Sequence, residues 1–156
     1  MVEQRDSYLQ KFIVLHEGGA GSGRYPAGSG KGDSKSQARR AFSAFIHSGG
    51  NGASISYIGA APTKGFMVSG AKDREDISDL DLNNRQAVFD RTKAFATKNA
   101  DVLTRDGMYL GMWADKGKMY LDCSANVTSR ADALEIVRTI GDKAIWDVVN
   151  QKAIDA

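Results

Sequence analysis

One cysteine, Cys123, and two prolines are all that the chain contains of either type. A single cysteine excludes an intrachain disulfide, which fits a reducing compartment. Long apolar runs are missing: nothing approaches the roughly 18 residues of a membrane span. The opening Met1-Val-Glu-Gln-Arg-Asp6 is polar and has no signal-peptide core. The expected place is a cytosol, or a particle packaged from one, with no membrane partner. Histidine is scarce, with only His16 and His47, and no spacing joins them to Cys123 and a carboxylate as zinc ligands. No metal and no cofactor is expected. Neither sign of charge dominates: 21 Lys/Arg stand against 19 Asp/Glu among 156 residues. The whole-molecule field therefore selects no partner. The charge is uneven, however, because residues 1–64 hold eight Lys/Arg against four Asp/Glu. That marks a mildly basic arm or face, which is either an ordinary solvated surface or support for a phosphate or nucleic-acid partner.

Glycine is plentiful in one place. Seven of the fifteen residues from Gly18 to Gly32 are glycine. The stretch follows Phe12-Ile-Val-Leu-His16, which reads as a short strand, and precedes a helix starting near Asp33 or Ser34. Strand, glycine loop and helix N-terminus in that order can cradle an anion. The spacing is not that of a Walker A loop: Tyr25 stands where the first glycine belongs, and Gly32 replaces the Ser or Thr after Lys31. The dinucleotide fingerprint fails as well, because Arg24 takes its last glycine position. A generic anion nest over Gly28–Ser34 with Lys31 remains open, beside a mobile or clamping loop. Arg24-Tyr25-Pro26 interrupts the glycines and can anchor them to a body.

Residues 34–47 read as an amphipathic helix, with Ala38, Ala41, Phe42, Phe45 and Ile46 on one face and Lys35, Arg39 and Arg40 elsewhere. Strands are expected at 53–59 and 66–69, paired as a hairpin. An acidic connection over 70–82 follows, tucked down by Ile77, Leu80 and Leu82. A second helix spans 84–103, with Asn99 as a break. The clearest local signal is the alternation over 108–124, a hairpin around the three-residue turn Asp115-Lys116-Gly117. A third helix follows, capped by Thr128 or Ser129 and closed by Gly141. A last strand covers 144–149, and a short polar tail ends the chain. The expected fold class is α+β: a mostly antiparallel sheet with about three helices packed on one face. Residues 1–33 form an N-terminal segment with a short strand and the glycine arm, and 34–156 form one domain.

Alternation places Met119, Leu121 and Cys123 on one side of their strand, so Cys123 reads as a buried structural thiol rather than a nucleophile. No carboxylate pair is matched for acid–base work, and no catalytic residue is assigned. Asp122 falls on the tyrosine-bearing side, exposed or satisfied by a cross-strand partner. Tyr109, Trp113 and Tyr120 share that side. They form a binding face if helices cover only the other side, or core if both sides are covered. Trp146 is a further aromatic candidate. The binding residues expected are Arg24, Tyr25, Lys31, Arg39, Arg40, Tyr109, Trp113 and Tyr120.

Gly18-Gly-Ala-Gly-Ser-Gly-Arg-Tyr-Pro-Ala-Gly-Ser-Gly30 resembles a segment, GG-x-GSGRYP-x-GSG, that recurs in proteins of tailed bacteriophages and prophages, often in head or minor capsid proteins. Tyr109-Leu-Gly-Met-Trp, Lys118-Met-Tyr-Leu-Asp and Ala144-Ile-Trp-Asp are similar to motifs of uncharacterised actinobacterial phage domains. Gly111-Met112 departs from the Gly-Gly expected there, and Cys123 replaces a small aliphatic residue. The resemblance implies a virion-associated, non-enzymatic structural or assembly protein, located in the virion or host cytoplasm. It would act through protein–protein contacts with other phage proteins or with copies of itself. Two alternatives stand beside it: an inhibitor of a bacterial defence system that binds a host protein or nucleotide, and a nucleotide- or phosphate-binding enzyme using the glycine loop.

Overall fold

The computed structural model describes residues 33–50, 52–69 and 74–156. The glycine stretch and the strand expected at 12–16 lie outside them. The longest pairing is between β4 (Met108–Asp115) and β5 (Lys118–Val127). Their turn, Lys116-Gly117, has φ of 50° and 77°, which suits the twist of the flanking strands. The turn holds two residues rather than three, because Asp115 stays in the ladder opposite Lys118.

Around this hairpin the chain lays down β1 (Ala53–Ser56), β2 (Phe66–Ser69), β3 (Glu75–Ser78), β6 (Ala144–Asp147) and β7 (Lys152–Asp155). They form one seven-stranded antiparallel sheet in the order β1-β4-β5-β2-β6-β7, with β3 also on β5. The hairpin expected over 53–69 does not form. β1 pairs with β4, while β2 pairs with β5 and β6. A tight turn intervenes after β1, in which Ser56 N donates to Ala60 O at 2.8 Å, and the long β4–β5 ribbon offers each strand its own edge. Two strands were missed in the sequence. β3 lies in the acidic connection and β7 in the polar tail, and both are four-residue strands with charged side chains.

Four helices are present among the described residues: α1 (Ser34–His47), α2 (Arg85–Lys98), α3 (Ala100–Leu103) and α4 (Arg130–Ile140). Each long helix starts on a side-chain cap. Asp33 accepts from Ser36 N, Asn84 from Ala87 N and Ser129 from Asp132 N, at 2.7, 3.1 and 3.3 Å. Gly141, with φ of 75°, closes α4. Asn99 separates α2 from α3, its amide donating to Phe95 O. Gln37 Nε2 donates to Ile55 O and ties α1 to β1.

All four helices lie on the same side of the sheet. Their buried residues, Ala38, Ala41, Phe45, Val88, Phe95, Val102, Leu103, Ala133 and Val137, join one core with Met108, Leu110, Met112, Met119, Leu121 and Cys123. The fold is α+β, with an antiparallel sheet and a single helical layer.

Candidate functional site

The pleat that sends Leu110, Met112 and Leu121 under the helices sends Tyr109, Gly111, Trp113, Tyr120, Asp122 and Ser124 to the opposite face. No described helix covers that face. At the hairpin end Trp113 lies opposite Tyr120, and their rings stack with centroids 5.3 Å apart and planes 3° apart. Ile77 on β3 lies opposite Tyr120 and is 49% exposed. The sequence reading had Ile77 tucked against the body. It is outside because β3 is a strand in which Asp76, not Ile77, turns toward the helices and receives Arg91 at 2.6 Å. Further along the face Trp146 lies opposite Met67 and is 42% exposed.

Between these apolar ends sits a polar centre. Ser69 lies opposite Ser124 and Glu75 opposite Asp122. Asp122 accepts hydrogen bonds from Ser69 Oγ at 2.8 Å and Ser124 Oγ at 2.6 Å. Burial pushes its carboxyl up to about 6, against the two hydroxyl donors and with help from the Glu75 and Asp142 charges. The residue opposite is Gly111. A Cβ there would stand well inside contact distance of Asp122 Oδ1. Gly111 is thus the vacancy into which the buried carboxyl folds. Both carboxyl oxygens are occupied and Asp122 is only 3% exposed. This suits a rigid centre to the face better than proton exchange with a substrate.

The expected binding residues divide between the two sides of the molecule. Tyr109, Trp113 and Tyr120 are half-buried on the helix-free face. Arg39 and Arg40 are exposed on α1, across the sheet from them. The side chain of Arg40 lies over Gly59, where an added Cβ would collide with its guanidinium. Arg24, Tyr25 and Lys31 lie outside the described residues, as does most of the Gly28–Ser34 nest. At the end of that nest the Asp33 carboxylate already caps α1 through Ser36 N, and this bond holds its carboxyl below the usual aspartate range. The helix start is therefore filled by an anion of the chain itself.

Sequence reasoning missed Ile77 and the Ser69–Asp122–Ser124 arrangement. For Ile77 the four-residue alternation Glu-Asp-Ile-Ser was a weak signal. For the polar centre the alternation placed Asp122 on the tyrosine-bearing side, but its bond from Ser69 depends on the pairing of distant strands. Cys123 is buried, and no group of three His, Cys, Asp or Glu able to hold a metal occurs among the described residues. No described helix is long and apolar enough to cross a membrane. No family model, curated protein or solved structure matches the chain.

Proposed function

We propose that this is a phage-encoded structural or assembly protein, virion-associated, that works by presenting the helix-free face of its sheet to another phage protein. The observation that carries the contact is the one-sidedness of the sheet. Its outer face holds the Trp113–Tyr120 stack, Ile77 and Trp146. Aromatic anchors with apolar neighbours are the usual energetic centre of a protein interface. The rigid Asp122 centre fixes the spacing of the two apolar ends. The phage origin is supported by the likeness of the glycine segment and the hairpin motifs to phage proteins.

Mass spectrometry of purified particles tests the reading. The protein is expected at a fixed ratio to the major structural chains. A double substitution, Trp113→Ala with Tyr120→Ala, should abolish incorporation while leaving the protein folded. Absence of the wild-type chain from particles would overturn the virion role, and normal incorporation of the double variant would overturn the assignment of the face.

A further inference from the structure

The helical side of the molecule carries a charge pattern that the aromatic face does not use. α1 and α2 together hold seven Lys/Arg and one acid, Asp90. The rest of the chain holds fourteen Lys/Arg against eighteen Asp/Glu. A chain near neutrality overall thus has a basic layer and an acidic remainder.

The two helices run antiparallel. α1 begins where Gln37 bonds Ile55 and ends where Phe45 and Ala114 both flank Gly50, so it runs toward the β4–β5 turn. On α2, Arg91 pairs with Asp76 while Arg74 pairs with Asp101 just beyond its end. Because β3 runs toward the same turn, α2 runs away from it. Phe42 and Phe89 meet edge to face with centroids 6.0 Å apart and set the level. One turn back from Phe42 is Arg39, and one turn on from Phe89 is Lys93. Antiparallel packing brings these two level, with Lys35 one further turn along α1. All three are exposed, and no ion pair to any of them is made among the described residues. Asp33 faces Lys35 at the start of α1, and Asp90 is held by the Gln86 amide.

We infer that the outer surface of the α1–α2 layer docks the phosphate backbone of duplex DNA. Three neighbouring cations on a rigid surface are what such a backbone neutralises, without reference to sequence. The large exposed apolar side chains, Ile58, Ile77, Trp146 and Val149, all lie off these two helices. The layer therefore lacks the apolar wedge that a membrane-surface helix inserts. Phe42 and Phe89 are half-buried against each other, so no ring is free to stack on an unpaired base.

The test is fluorescence anisotropy with a labelled 20-base-pair duplex across a salt series. The full chain should bind at 50 mM NaCl and lose affinity with a log–log slope of about −3, as three phosphate contacts require. Lys35→Gln, Arg39→Gln and Lys93→Gln combined should weaken binding by at least about tenfold and flatten the slope by about one unit per lysine or arginine removed. A control with the same change of net charge, Lys64→Gln, Lys143→Gln and Lys152→Gln, should change affinity by less than about threefold. All six positions are exposed, and equal melting temperatures check that both variants fold. Failure of the full chain to bind the duplex at 50 mM NaCl would overturn the inference. So would equal weakening by the control, tighter binding of the single strand, or co-sedimentation with phosphatidylserine vesicles in place of DNA binding. None of these outcomes bears on particle incorporation through the aromatic face.

Discussion

The two faces of one sheet differ as much as two proteins would. On the covered face Met108, Leu110, Met112, Met119 and Leu121 are at most 1% exposed. On the other face the alternate residues of the same two strands are Tyr109, Gly111, Trp113, Tyr120, Asp122 and Ser124. The backbone is shared, so the contrast comes from side chains alone. Period-two geometry separates the buried core from the proposed contact face within a single ribbon. A change on the covered face should cost folding free energy and leave binding specificity alone. A change on the outer face should do the reverse, except at its buried carboxyl.

The sharpest break in that pattern is on the covered side. Leu121→Ala removes a side chain that is 0% exposed at the centre of the core. It should cost about 2–5 kcal/mol, from lost transfer free energy and the cavity left behind. Urea unfolding reads this as a lower midpoint at unchanged slope. A loss under about 1 kcal/mol would mean that the helical layer does not close over β5.

Asp122 lies on the outer face but behaves as a core residue. Its folded carboxyl titrates at about 6, above its ordinary 3.8. The folded state therefore binds the proton more tightly than the unfolded state between those values. The stabilisation from this proton is fully present below pH 3.8 and is lost as pH rises through 6. Two units correspond to about 3 kcal/mol. Asp122→Asn keeps an acceptor for one serine and supplies a donor to the other. Its stability relative to wild type should rise by up to about 3 kcal/mol between pH 4 and pH 7. Taking the difference between the two proteins cancels Asp33 and Asp101, whose hydrogen bonds with Ser36 N and Arg74 lower their pKa values and give the opposite slope. A difference independent of pH would show that Asp122 is ionised at no cost.

Much of this was legible in the sequence, and the boundary has a physical cause. The β4–β5 ribbon, the helix caps at Asp33 and Ser129 and the stop at Gly141 depend on neighbours a few residues away, and propensity and alternation report such neighbours directly. The one-sided helical layer followed from the apolar side of that ribbon. What failed was long-range pairing. β1 and β2 sit next to each other in the chain, yet a hydrogen-bonded turn at Ser56 and the length of β5 send them to different edges. β3 and β7 are too short and too charged to announce themselves. The candidate site was half visible: alternation aligned Tyr109, Trp113 and Tyr120, while Ile77 and the Ser69 bond to Asp122 depend on which strands meet. From the sequence Arg39 and Arg40 were placed only on the helix that follows the glycine stretch, away from its apolar face. In three dimensions Arg39 belongs with Lys93 across the helix seam.

Gly111 tests whether the outer centre is packed as tightly as the core. Alanine there would place a methyl group against Asp122 Oδ1 and close to Ser124 Oγ. Overpacking of this kind costs about 1–3 kcal/mol. The cost should fall in the Asp122→Ala background, where the space is vacated, and a double-mutant cycle measures that coupling. Additive effects would mean that the backbone, not the carboxyl, excludes the side chain.

The smallest effects on stability should come from the two tryptophans proposed to make the contact, Trp113 and Trp146. Trp113 is half-buried and touches Tyr120 by stacking. An aromatic pair of this kind adds about 0.5–1.5 kcal/mol beyond its buried area. Trp113→Ala should therefore lower the unfolding free energy far less than Leu121→Ala, while removing one of the two apolar ends of the face. If the face is the interface, incorporation into particles falls steeply although the protein remains folded. Trp146→Ala, at the other end and 42% exposed, should do the same with still less effect on unfolding. A Trp113 variant that unfolds as readily as the Leu121 variant would show that both sides of the sheet are core, and the contrast between them would collapse.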